Sequence, residues 1–137
     1  MSHYKKPFKC EVLTPAGQAM SVQAVSVVLP LADGEMGVLA DHAPLVAMVG
    51  AGTMKAALPG GQEETFFVSG GFAYMRGNEL SVLAEDGASV NSLDPRKVNE
   101  ELQQAQQMPA DTPAQRRRRG EAVAIASAKL KAAQSKQ

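Results

Sequence analysis

The turn residues decide most of what this chain can become. Pro15-Ala16-Gly17, Asp33-Gly34, Gly50-Ala51-Gly52, Pro59-Gly60-Gly61 and Gly77-Asn78 punctuate its first part at short intervals. Gly and Asn enter left-handed backbone at little steric cost and Pro presets a turn, so each cluster reverses the chain. Between them lie short β-prone runs: Phe8–Leu13, Val22–Leu29, Val38–Leu39, Leu45–Val49, Thr53–Leu58, Thr65–Ser69, Phe72–Arg76 and Leu80–Ala84. Several alternate, as in Val25-Ser26-Val27 and Phe8-Lys9-Cys10-Glu11-Val12. No helical pattern separates them, which argues against a parallel βαβ sheet. The expectation is an all-β N-terminal sandwich of about eight to ten short antiparallel strands.

Composition changes sharply further on. Residues 1–90 hold 5 Lys/Arg against 9 Asp/Glu, and residues 91–137 hold 9 against 5. All six aromatics precede residue 75, and eleven of the twelve glycines precede residue 90. Charge, aromatic content and Gly content shifting together mark a boundary. We place a β-sandwich at residues 1–88 and a C-terminal α-helical hairpin at residues 89–137.

The hairpin is legible in its caps. Asp94 can cap a first helix with Pro95 at its first position, where the missing N–H costs nothing. Val98, Leu102 and Ala105 follow at helical spacing. Met108-Pro109 then breaks the helix. Thr112 and Gln115 form a capping-box pattern at the start of a second helix, from Pro113 to about Gln134. That helix would be roughly 30 Å long. Its apolar stripe, Val123, Ala126, Leu130 and Ala133, is thin, because Ala buries little area. The pair is expected to dock weakly and to move.

The candidate chemistry is sparse. The single cysteine, Cys10, excludes an internal disulfide and a multi-cysteine zinc site, and its alternation places it in a core. Neither a catalytic centre nor a metal site is expected. Only His3 and His42 could act as imidazole bases. Asp41-His42 reads better as loop-ordering chemistry than as a dyad, since neighbours in sequence rarely adopt triad geometry. Gly50-Ala51-Gly52 lacks the third glycine of a dinucleotide loop, and Ser69-Gly70-Gly71 reads as a bulge. No run is long and apolar enough to span a bilayer, and the Met1–Pro7 start lacks a leader's apolar core, so cytoplasmic residence is expected. Arg116–Arg119 is the most pointed feature. Cations near a helix N-terminus oppose the dipole and repel one another, so the run points to an acidic partner.

The segment Asp33-Gly34-Glu35-Met36-Gly37-Val38-Leu39-Ala40-Asp41-His42-Ala43-Pro44-Leu45 resembles a signature of the epsilon subunit of rotary F-type ATP synthases. Val68-Ser69-Gly70-Gly71-Phe72 resembles a second one, and Leu80–Glu85 resembles the strand that closes the family's sandwich. The likeness covers essentially the whole chain. It implies a non-catalytic subunit of the central rotor stalk, coupling proton flow to ATP synthesis and inhibiting ATP hydrolysis through its C-terminal helices. It implies binding to the gamma subunit and the c-ring, transient contact with the alpha/beta catalytic subunits, and a peripheral place on the cytoplasmic face of the bacterial inner membrane, without membrane insertion. Glu35, Met36, Gly37, His42, Ala43 and Pro44 become the c-ring or gamma contacts, on loops at the ring-facing end, with Glu35 the leading polar contact. Arg116, Arg117, Arg118 and Arg119 become the basic contacts of the inhibitory helix.

One departure bears on regulation. The family's ATP-binding motif falls at Leu93-Asp94-Pro95-Arg96-Lys97-Val98, where Asp94 fits but Lys97 replaces an arginine. Lys cannot copy the planar guanidinium fork, which argues against nucleotide binding at Asp94 and Lys97. No cofactor is therefore expected. Two other classes compete on the residues alone. A nucleic-acid module would use the Arg run, yet the four side chains fan around the helix with no aromatic nearby. A hydrolase centred on His42 lacks a nucleophile beside it.

Overall fold

The computed structural model describes residues 6–135. His3 and the leader-free reading of the first five residues lie outside that span. Ten strands come first: β1 (Phe8–Thr14), β2 (Gly17–Ala24), β3 (Ser26–Leu31), β4 (Gly34–Val38), β5 (Leu45–Met48), β6 (Gly52–Ala57), β7 (Glu63–Ser69), β8 (Phe72–Arg76), β9 (Glu79–Leu83) and β10 (Asp86–Ser89). A short 3₁₀ turn (Val90–Ser92) leads into α1 (Pro95–Gln106) and α2 (Pro113–Ser135).

The strands form two five-stranded sheets, ordered β2-β1-β9-β8-β5 and β10-β7-β6-β3-β4. Alternation puts one face of each sheet inside. Phe8, Cys10 and Val12 of β1 meet Leu80 and Val82 of β9, Met75 of β8, Leu29 of β3, Met54 of β6 and Phe66 and Val68 of β7 in one buried cluster. Each fully buried large side chain there contributes about 1.5–3 kcal/mol.

The structure corrects the strand map in three places. The run Val22–Leu29 is two strands, because the chain bends at Val25, whose N–H donates to the Ala57 carbonyl (2.7 Å), and crosses between sheets. No Gly or Pro marks that bend. Val38 closes a strand that begins at Gly34, and β10 is additional. The antiparallel expectation fails at one pair, since β1 and β9 run parallel. A sandwich that closes its sheet with a strand distant in sequence needs no intervening helix for this.

Both caps form as their sequences imply. Asp94 Oδ1 accepts from the Arg96 N–H at 3.0 Å. Thr112 Oγ1 accepts from the Gln115 N–H at 3.1 Å, and Gln115 Oε1 accepts in return from the Thr112 N–H at 3.1 Å. Two orphan donors are thereby satisfied reciprocally. The helices are folded onto the outer face of the second sheet. There Phe67, Val90, Leu93, Val98, Ala132 and Ala133 are buried together, with Ile125, Ala128 and Leu130 partly covered. The expected stripe was too narrow, since Ile125 and Ala132 also pack. The helix touches both α1 and the sandwich, so its covered arc exceeds one heptad seam. The fully buried α2 residues, Ala126, Ala132 and Ala133, are nonetheless all alanine.

Candidate functional site

The first signature segment builds the edge strand β4. Asp33 lies in the turn before it, and Gly34 there has φ +144°, a conformation that favours glycine. Within β4, Glu35 pairs with Pro30, Met36 with Leu29 and Gly37 with Val28. Glu35 and Gly37 are exposed, Met36 is half-buried, and Val38 enters the core.

The loop that follows is held by polar contacts. Asp41 takes a left-handed backbone (φ 63°), as does Asn78 (φ 61°). The Asp41 N–H donates to Asn78 Oδ1 at 2.6 Å, and Asn78 Nδ2 donates back to Asp41 Oδ1 at 3.0 Å. Lys6 Nζ lies 3.2 Å from the same carboxylate oxygen. The Asn78 amide first, then the Lys6 ammonium, holds the Asp41 carboxyl below the usual carboxylate range. His42 Nδ1 sits 2.7 Å from the Ala43 carbonyl oxygen, which makes it the donor of that bond. Asp41 is thus engaged by Asn78 and Lys6, and His42 by its neighbour's backbone. The pair orders a loop and has no dyad geometry.

The structure does not bring Glu35 and His42 to one end. β4 is five residues long, roughly 17 Å, and its two ends open onto opposite ends of the sandwich. The Asp33 turn shares its end with the β5–β6 turn, where Ala32 N–H donates to the Met48 carbonyl at 3.2 Å. His42, Ala43 and Pro44 share theirs with the Gly77-Asn78 turn. The expectation that both loops belong to one ring-facing end is therefore corrected. Antiparallel topology separates the two ends of any hairpin strand.

A surface that the sequence reading missed covers the outer face of the first sheet. Val46 stands opposite Tyr74, Met48 opposite Phe72, and Phe72 opposite Leu83. Directly paired residues share a face. Their exposures are 76% for Val46, 63% for Met48, 50% for Phe72, 39% for Tyr74 and 36% for Leu83. A contiguous apolar band of this kind marks an interaction surface rather than ordinary exterior. Pro44 joins it, lining a cavity of about 370 Å³ with Val46 and Tyr74. The signal lay in the unbroken apolar run Leu45–Val49, which leaves no polar face for water.

The remaining candidates are scattered. Arg116, Arg117 and Arg118 are exposed and Arg119 half-buried on the first turns of α2. Arg116 Nη1 donates to the Ala110 carbonyl at 3.2 Å. Among the described residues, no carboxylate stands within ion-pair distance of any of the four. The Asp94 carboxylate caps α1, and Lys97 points to solvent. A cleft of about 710 Å³ opens between the second sheet and the end of α2. Glu35, Lys55, Glu63 and Lys131 line it, and Asp94 and Lys97 do not.

Neither glycine-rich segment forms a phosphate cradle. A Cβ on Gly71 (φ +95°) would stand 1.8 Å from the Leu83 carbonyl oxygen, so this corner admits no side chain. Cys10 is wholly buried, and that burial, reinforced by Glu11, pushes its thiol up to about 12. Among the described residues no His/Cys/Asp/Glu group is arranged to hold a metal ion. No helix there is long and apolar enough to cross a membrane.

Comparison with known proteins joins these observations. A family model described as ATP synthase, Delta/Epsilon chain, beta-sandwich domain matches residues 7–89, ending where β10 ends. The sodium-ion-specific ATP synthase epsilon chain of Propionigenium modestum is 37% identical over 100 residues, 73% of this chain and 72% of that one. The ATP synthase epsilon chain of Rhodopirellula baltica is 34% identical over 124 residues, 90% of this chain and 96% of that one. A chain of the Euglena gracilis mitochondrial ATP synthase, solved as OSCP/F1/c-ring in rotational state 1, matches with TM-score 0.77 at 21% identity. The match covers 98% of this chain and 86% of that one, and it carries the fold through the sandwich into the helices. With the sandwich, its signatures and the appended helices in agreement, the chain belongs to the family of ATP synthase epsilon chains.

Proposed function

We propose that this epsilon chain is a non-catalytic central-stalk subunit that couples proton flow to ATP synthesis and brakes ATP hydrolysis with its helices. The observation that carries the reading is the division of labour between the two outer faces. The hairpin covers one sheet, and the other presents the bare band of Val46, Met48, Phe72, Tyr74 and Leu83. A rotor subunit needs a permanent apolar seat and a separate movable part. The bare band, extended by Ala43 and Pro44, suits the gamma subunit. The opposite end, with Glu35, Met36 and Gly37 on an edge strand, suits the c-ring. In this reading the complex sits peripherally on the cytoplasmic face of the bacterial plasma membrane.

The brake would be α2, released from the second sheet and extended toward the alpha/beta subunits. Arg116–Arg119, with no acidic partner among the described residues, are available to meet carboxylates there. No ATP trigger is included, because Asp94 already caps α1 and Lys97 lacks the fork that grips phosphate bidentately.

Two sets of variants test the reading in the assembled complex. Phe72→Asp with Val46→Asp should abolish co-assembly with gamma, since a buried unpaired charge is strongly unfavourable. Deleting residues 91–137 should leave assembly intact and raise ATP hydrolysis. Assembly that survives the double aspartate would remove the gamma seat. Hydrolysis unaltered by the deletion would remove the brake.

A further inference from the structure

One cation ties together every element of the docked hairpin. Lys129 of α2 places its Nζ 3.1 Å from Glu101 Oε1 of α1 and 3.7 Å from Asp86 Oδ2 of β10. Its side chain is only 16% exposed, against 52% for Asp86 and 49% for Glu101. The ammonium is thus partly withdrawn from water, while both carboxylates reach it from more open positions. Low exposure strengthens such a pair relative to fully solvated ones. Among the described residues, the only other ion pair joins Lys6 to Asp41, at one end of the sandwich.

The rest of the docking surface makes this cluster matter. The α2 residues buried against the sandwich are Ala132 and Ala133, which add little apolar area. Ala122, Ile125 and Ala126 line an open groove of about 460 Å³ with Glu101 and Lys129, so water and salt reach the edge of the cluster. Removing the Lys129 charge would also leave Asp86 and Glu101 facing each other without a counter-ion.

We propose that Lys129, with Asp86 and Glu101, is an electrostatic latch that sets how often the helical hairpin leaves the sandwich. The proposal rests on the reading of α2 as a movable brake, and it names what holds that brake at rest. It makes release a matter of ionic strength and of the charge on one amine, independent of any nucleotide.

The test uses the full-length chain carrying Ala133→Cys. Ala133 is 1% exposed under the docked hairpin, so its replacement thiol reacts with a soluble disulfide reagent only after release. The native Cys10, wholly buried in the sandwich, stays unreactive while that domain is folded. Lys129→Met keeps the apolar stem and removes the charge. At low salt it should raise the labelling rate by roughly three- to tenfold, the range for two partly screened pairs. Salt at about 0.5 M should bring the parent close to the Lys129→Met rate and leave Lys129→Met almost unchanged. Lys129→Glu should release the hairpin, and adding Glu101→Lys should restore slow labelling.

Equal labelling of Lys129→Met and parent at low salt overturns the latch. If Lys129→Met exposes Cys10, the pair Asp86→Asn with Glu101→Gln, which leaves α2 intact, decides in its place by the same criterion. Labelling on the isolated chain is independent of hydrolysis in the complex. Faster labelling with unaltered hydrolysis would leave the latch standing and remove the brake.

Discussion

Phe66 and Phe67 are adjacent and both buried, yet they belong to different structures. Phe66 faces the sandwich core and Phe67 faces the hairpin. Replacing Phe67 with Ala removes a wholly buried aromatic, a change that costs roughly 3–5 kcal/mol in a packed site. That loss should fall on docking alone. On the helix side, α2 offers Ile125, Ala128 and Leu130, all partly covered, and the buried Ala132 and Ala133. Their burial is worth on the order of a few kcal/mol, so the loss is comparable with the whole apolar attachment. Phe67→Ala should therefore shift the hairpin from docked toward released by about a hundredfold or more. Hydrogen exchange reads this directly. Amides of α2 should lose protection, while those of β1 and β9 should exchange as in the parent. Phe66→Ala is the control, and should raise exchange in both regions because it undermines the shared core. If Phe67→Ala lowered protection in β1 as much as in α2, the two clusters would be one cooperative unit, and the argument for a separately movable hairpin would fail.

Three further outcomes follow from single sites. Asp94→Ala removes the side-chain cap of α1 and should lower hairpin stability by about 1 kcal/mol, measured as helical signal lost at moderate temperature. Gly120→Ala should raise α2 helicity by about 1 kcal/mol, because a Cβ there meets open space; a drop in helicity would mean that the glycine serves another conformation. Cys10 gives a pH signature. Its thiol ionises at about 12 in the fold against 9.0 when free, so the native state retains the proton longer. The associated stability is present below pH 9 and lost as pH rises toward 12, and Cys10→Ala should flatten that decline in urea titrations across this window.

What the sequence disclosed, and what it hid, follows the range of the interactions. Helix caps are local: Asp94 with Pro95, and Thr112 with Gln115, act within a few residues, and each forms as its pattern dictates. The turn clusters likewise set where most hairpins reverse. The bend at Val25 was silent because a change of sheet needs only a hydrogen bond to Ala57, thirty-two residues further along the chain (57 − 25) and beyond the reach of any local rule. The separation of Glu35 from His42 was hidden for a similar reason. Both lie in one continuous signature, and only the course of β4 decides that they face opposite ends. The apolar band was legible in principle, since Leu45–Val49 is apolar on both faces. It passed as one more β-prone run, because such a run implies that both faces are covered without saying by what. Ile125 was lost to a heptad template that assumed one contact surface.

The alanine lining of α2 has a mechanical consequence. A helix studded with Leu locks into one set of holes, since each large knob demands its own cavity. A helix whose buried contacts on the sandwich are Ala132 and Ala133, with Ile125 and Leu130 only partly covered, presents a shallow relief. In the proposed brake, such a helix would lose little on leaving its berth and would need little tailoring in the next. The free-energy gap between its positions can then stay within a few kcal/mol, the range in which a binding partner or a change in ionic strength is enough to reset the balance. Smoothness of this kind is what makes a reversible part reversible.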